Sequence, residues 1–172
     1  MKKLLIVVDY QNDFVDGSLG FDGAERLCDK IISKIKFYEE NGYDIVYTLD
    51  THGENYLETA EGKALPVEHC IKGTKGWELY GGLKEMLKGK RCFEKETFGS
   101  KELFLYLLDK SYDEIEFVGL VSNICVISNA VIAKSAQPEA QIIVDRSCTD
   151  SFSKELNQKC FDVMEGLQIK LI

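Results

Sequence analysis

Apolar residues fall into short unbroken runs, separated by stretches in which they recur at helical spacing. The first run, Leu4-Leu5-Ile6-Val7-Val8, ends at Asp9 and predicts a strand buried on both faces. Tyr10–Gly23 is polar and glycine-marked, which predicts a loop. From Ala24 to Glu40, Leu27, Ile31, Ile32, Ile35 and Tyr38 follow one helical face, and Asn41-Gly42 closes it. Asp44–Leu49 is a second strand, ending at Asp50. Thr51–Gly76 has no clean period; a loop that long inside a compact domain is usually functional or disordered. The pattern then predicts a short helix over Trp77–Leu87 and a strand over Arg91–Glu94, ending at Lys95. A helix capped by Ser100 and running through Asp109 follows. Ile115–Leu120 is a strand that breaks at Gly119 and resumes as a helix from about Asn123 to Ser135. Gln141–Val144 is a strand ending at Asp145. Ser153–Gly166 is a helix and Leu167–Leu171 a last strand.

This alternation predicts one α/β domain over 1–172, a three-layer doubly wound (Rossmann-like) fold with a six-stranded, mainly parallel sheet. In such sheets the ligand site lies outside the carboxyl ends of the strands. Asp9, Asp50, Lys95 and Cys125 all fall at or just beyond those ends. Cys125 also lies in the first turn of a helix, where unpaired N–H groups favour an anion and a thiol loses its proton more easily.

Composition narrows the classes. At 172 residues the chain is long enough to bury a substantial core. A net charge of −8 argues against nucleic acid and anionic membrane surfaces as partners. No apolar run approaches the length of a membrane span. The start, MKKLLIVVD, has too short an apolar part for a signal peptide, so a cytoplasmic location is expected. The six cysteines are scattered without a CxxC pair and read as reduced thiols. With only two histidines, His52 and His69, any histidine-based chemistry must use one of them.

The chemistry-bearing residues admit more than one reading at this stage. Asp9 is either a loop cap or a partly desolvated acid with a raised pKa. Lys95 either reaches solvent or stabilises a thiolate at Cys125. Asp13 could hold the loop it sits in. Asp50-x-His52 puts two ligand side chains on one side of an extended strand end. With His69 from the long loop, and Glu61 as a fourth donor, this is a set suited to a divalent metal such as zinc, with iron or manganese as alternatives.

Together VVDYQNDF with FVDGSLG, TLDTHGEN, LPVEHCIKGT, FEKETFGS and GLVSNICV resemble the isochorismatase-like cysteine hydrolases, most closely their nicotinamidase branch. The resemblance spans nearly the whole chain in order. It implies a catalytic triad at Asp9, Lys95 and Cys125, and metal ligands at Asp50, His52 and His69, with Glu61 as the glutamate some members add. It further implies a cis peptide at Leu120–Val121, an oxyanion hole from the N–H groups of Val121 and Cys125, and a ring pocket lined by Phe14, Leu120 and Val121. The implied activity is hydrolysis of a small amide, nicotinamide first, through a thioester, by a homo-oligomer. The chain departs from the pattern at Leu65, where nicotinamidases often carry an aromatic, and Leu65–His69 is one residue longer; Trp77 replaces that aromatic only if the loop folds back. Rival readings are cleavage of a carbamoyl or ureido amide, a metal-water hydrolase with Cys125 a bystander, and a non-catalytic binding module.

Overall fold

The computed structural model describes residues 1–172. Six strands, β1 (Lys3–Val8), β2 (Asp44–Asp50), β3 (Arg91–Lys95), β4 (Glu114–Leu120), β5 (Gln141–Asp150) and β6 (Lys170–Leu171), form one sheet in the order β3-β2-β1-β4-β5-β6. Every adjacent pair is parallel, where the sequence pattern predicts only a mainly parallel sheet. The helices are α1 (Asn12–Val15), α2 (Cys28–Glu40), α3 (Ala60–Ala64), α4 (Leu83–Met86), α5 (Lys101–Leu108), α6 (Ile127–Ala136) and α7 (Lys154–Gly166). Alternation along the central strand β1 separates two cores. Leu4, Ile6 and Val8 pack with α5, α6 and α7, while Leu5 and Val7 pack with α2 and α4. The strand order reverses between β1 and β4, and the crevice at that switch point is where such sheets hold ligands.

Several segments differ from the sequence pattern, each for a tertiary reason. The Trp77–Leu87 helix shrinks to Leu83–Met86. Asn12 N donates to Glu78 O and Tyr80 N to Tyr10 O, both at 2.9 Å, which draws residues 78–80 out as an extended strip against the first loop. That first loop contains α1, and the long loop contains a 3-10 turn at Tyr56–Glu58 followed by α3. Thr59 caps α3, its Oγ1 accepting from Gly62 N at 3.0 Å. A 3-10 turn at Ala24–Leu27 precedes α2. β5 continues past Asp145 to Asp150, so Asp145 lies mid-strand. Pairing shifts from Phe117↔Val144 to Gly119↔Thr149, and Asp145 Oδ1 accepts from Ser147 N at 2.8 Å across the irregularity. The last strand starts only at Lys170, because Ile169 N still bonds Met164 O at 2.9 Å behind the left-handed Gln168 (φ 60°).

Candidate active site

Strand ends bring the first group together. Asp9 follows β1 in a left-handed conformation (φ 43°) that non-glycine residues seldom adopt and that functional sites often store. Lys95 ends β3, in register with Asp50 at the end of β2. The Lys95 ammonium lies 2.6 Å from Asp9 Oδ2 as an ion pair, and it donates to Asp50 Oδ1 at 3.2 Å, the Thr97 carbonyl at 3.0 Å and Cys125 Sγ at 3.5 Å. Thr48 Oγ1 donates to the other Asp9 oxygen at 2.6 Å. Asp9, Lys95 and Cys125 are 0%, 4% and 6% exposed, so their charges interact with little screening by water.

Burial sets the direction of each pKa, and the neighbours modify it. Burial pushes the Asp9 carboxyl up, against the pull of Lys95 and the Thr48 hydroxyl. Burial likewise pushes the Cys125 thiol well up; Lys95 pulls it down, while the charge of Asp9 raises it further. Burial pulls Lys95 down, but Asp9, Cys125 and Asp50 together hold its ammonium well above the ordinary value. Burial and Asp9 thus oppose the thiolate at Cys125, and Lys95 favours it, so the helix start does not act alone.

Gly119 shapes the turn that carries Cys125. Its φ is 111°, and a Cβ there would lie 2.0 Å from the Val8 carbonyl oxygen, so only glycine lets β4 lie this close to β1. The Leu120–Val121 peptide is cis. A π-helical turn at Ser122–Val126 then leads into α6, with Ile124 N and Val126 N both donating to Val121 O at 3.2 Å. Of the two residues expected to supply an oxyanion hole, Val121 immediately precedes this turn and Cys125 lies within it.

The second group lies beside the first. Ligand atoms of Asp50, His52 and His69 lie within 4.8 Å of one another, and all three residues are buried. Asp50 Oδ2 is 3.1 Å from His52 Nε2 and 3.3 Å from His69 Nε2. Glu61 Oε1 from α3 stands further off, 3.9 and 3.8 Å from the same two nitrogens. The Val67 carbonyl, 2.8 Å from His69 Nδ1, can only accept, so it fixes the proton there and turns the Nε2 lone pair toward Asp50. Lone pairs and carboxylate oxygens converging on one point require a positive charge between them, and two imidazoles with one or two carboxylates suit a divalent metal. The donor set therefore fits the implied ion. Burial pushes Asp50 up, but the two histidines and Lys95 outweigh it and hold the carboxyl well below the usual range. A cavity of about 400 Å³, lined by Thr51, His52, Glu61, Glu96 and Thr97 among others, opens beside this cluster.

Phe14, Leu120 and Val121, the expected pocket residues, share the α2-side core, and the Phe14 ring lies 5.6 Å from that of His69. Leu65 is 39% exposed. The long loop does fold back, but Trp77 Nε1 donates to Thr51 Oγ1 at 2.8 Å. The Lys72 ammonium lies 6.0 Å from the centre of the same indole.

Other residues that hold the site carry no pattern in the sequence. Gln11 is fully buried; its amide bonds both Asp50 N (2.8 Å) and Asp50 O (2.9 Å), fixing that ligand's backbone. Asp13, read as a loop holder, accepts from Cys70 N at 2.7 Å, the residue after His69. Tyr56 packs its ring 4.7 and 4.9 Å from the two histidine rings. Asn129 bonds the Cys125 carbonyl at 2.8 Å. A polar residue two positions beyond a strand-end acid, or one helical turn beyond a candidate nucleophile, is the signal that could have found Gln11 and Asn129.

Comparison with known proteins places this geometry. Residues 3–172 match the model of the isochorismatase domain. An uncharacterized isochorismatase family protein, PncA of Bacillus subtilis (strain 168), is 32% identical over 167 residues, covering 90% of each chain. The nicotinamidase/pyrazinamidase of Mycobacterium tuberculosis is 25% identical over 185 residues, covering 99% of this chain and 98% of its own. Among solved structures, the nicotinamidase/pyrazinamidase PncA of Bacillus subtilis superposes with a TM-score of 0.89 at 28% identity, with 99% of both chains covered.

Proposed function

This chain belongs to the isochorismatase family, and from that membership we propose that it is a cysteine amidohydrolase that converts a small carboxamide, nicotinamide first, to the carboxylate and ammonia. The observation that carries this reading is the Lys95 ammonium held between Asp9 at 2.6 Å and Cys125 Sγ at 3.5 Å in a buried site. The nicotinamidases among its relatives support the choice of substrate.

Asp9 takes the proton of the Cys125 thiol, and Lys95 stabilises the thiolate so formed. The thiolate attacks the amide carbonyl, and the backbone N–H groups of Val121 and Cys125 receive the oxyanion, a device worth about 2.7–4 kcal/mol per donor where one has been removed. Asp9 returns the proton to the leaving nitrogen, ammonia departs, and water hydrolyses the thioester. Asp50, His52 and His69, with Glu61 behind them, would hold a divalent cation, zinc being the first choice for such donors. When bound, it supplies Lewis-acid attraction for a ring nitrogen or an ordered water at the pocket. The substrate is a small molecule. A cytoplasmic, homo-oligomeric enzyme is the accompanying expectation; no helix is long and apolar enough to cross a membrane.

One observation favours a second reading of the substrate. Leu65 stands where a ring-stacking aromatic is expected, and Trp77 is tied to Thr51 instead of replacing it. Another small carboxamide, such as a carbamoyl or ureido compound, then fits as well as a flat ring. Ammonia release from a panel of small amides headed by nicotinamide, with and without chelator, tests both. Turnover of nicotinamide that falls on chelation and returns with added divalent metal is expected. Turnover of none of the amides would overturn the assignment, and turnover that survives alkylation of Cys125 would move the chemistry to the metal.

A further inference from the structure

Asn129 sits one helical turn beyond Cys125, in α6, with no exposed surface. Its Nδ2 donates to the Cys125 carbonyl at 2.8 Å and to the Phe98 carbonyl at 3.0 Å, and its Oδ1 accepts from Ser100 N at 3.0 Å. These contacts fix the amide's orientation: exchanging O and N would set oxygen against two carbonyls and an amino group against an N–H. Its partners come from two places. One is the peptide of Cys125. The other two lie in the loop between β3 and α5, which begins at Lys95 and whose Thr97 carbonyl accepts from the Lys95 ammonium at 3.0 Å. The same loop presses on α6, since a Cβ at Gly99 would lie 2.5 Å from Ile132 Cδ1.

We propose that Asn129 is a positioning residue for the reaction: it locks the helix that bears the thiol to the loop that seats the Lys95 ammonium, and so sets the Nζ–Sγ separation of 3.5 Å. The inference rests on the reading of Cys125 as the nucleophile. An ordinary buried anchor would matter for stability alone. Asn129 instead joins the backbone of one reacting group to the backbone that fixes the other, where about 1 Å of displacement can cost 10²-fold in rate.

Three variants separate the roles. Asn129→Asp keeps the shape and the acceptor for Ser100 N but removes both donors. Asn129→Thr restores one donor, because a threonine hydroxyl in a helix reaches the carbonyl four residues back, here that of Cys125. Asn129→Ala removes all three bonds. For each, kcat and KM are measured on the best amide of the panel, together with the melting temperature and the rate at which iodoacetamide alkylates Cys125 at neutral pH, read by peptide mass spectrometry. In N129D, kcat should fall by about 10²-fold with KM little changed. Alkylation of Cys125 should slow with it, and N129T should recover part of both. If folded N129D and N129T alkylate at the wild-type rate or faster and keep wild-type kcat, the proposal is overturned, whatever their melting temperatures. Should N129D not fold, N129T and N129A decide by the same criterion. Alkylation needs no substrate, so it still judges Asn129 if no amide is turned over and the functional reading itself fails.

Discussion

On the proposed reading, Cys125 has Asp9 to take its proton and Lys95, 3.5 Å from Sγ, to hold the resulting charge. Replacing it with Ala should lower amide hydrolysis by at least about 10³-fold, since removal of a nucleophile leaves only binding and oxyanion stabilisation. The circular dichroism spectrum should be unchanged, and residual activity near a tenth of wild type would end the thiol mechanism. At this scale the sequence was informative wherever chemistry coincided with a strand end. Asp9, Asp50, Lys95 and Cys125 all stand where a parallel sheet presents its ligand edge, so spacing alone put them together. The residues that hold them were not legible. Gln11 acts on Asp50, Asn129 on the 98–100 loop and Tyr56 on two histidine rings. Each works through a partner distant in sequence, which no local period encodes.

Elements were legible in proportion to how far local pattern decided them. The buried strands and amphipathic α2, α5 and α7 follow their hydrophobic periods. Residues 77–82 do not, because pairing with the first loop outweighs any helical preference there. β5 ran on past its apolar run because an irregular pairing lets the strand rejoin β4 at Gly119 after Asp145. Gly119 is also the position where one added methyl group should do most damage. Gly119→Ala sets a Cβ 2.0 Å from Val8 O at a φ of 111°, which should cost about 3 kcal/mol or more and lower the melting temperature by roughly 6–12 °C. Gly166→Ala, whose Cβ meets nothing within 4 Å, is the control and should change it little. Equal effects of the two in a thermal melt would remove the close β1–β4 approach as the reason for the glycine.

At the scale of the whole molecule, Lys34 ties α2 to the sheet. Its ammonium lies 2.7 Å from Glu116 on β4 and 2.8 Å from Asp145 on β5. Burial pushes the Asp145 carboxyl up, but Lys34 and the Ser147 hydrogen bonds outweigh it and leave the folded pKa below the unfolded value of about 3.9. Such a group stabilises the fold above the unfolded pKa, and that contribution is lost as pH falls through the folded one. For Lys34 burial works downward, but the two carboxylates push the pKa up to about 12. Its contribution is present below the unfolded value of about 10.4 and lost as pH rises through about 12. Urea unfolding between acid and neutral pH should therefore show Asp145→Asn losing stability near neutrality, with a shallower acid limb than wild type. Parallel acid limbs would mean that Asp145 is not linked to folding.

The strand order β3-β2-β1-β4-β5-β6 has a further consequence. It divides the chain into two contiguous halves, residues up to Lys95 building β1–β3 and residues from Glu114 building β4–β6. On the proposed reading, the proton acceptor, the ammonium and every metal donor are encoded in the first half, and the sulfur in the second. Neither half holds a complete set of reacting groups. On that reading the chemistry belongs to the seam between β1 and β4, and parting those two strands would disarm it before either half need unfold.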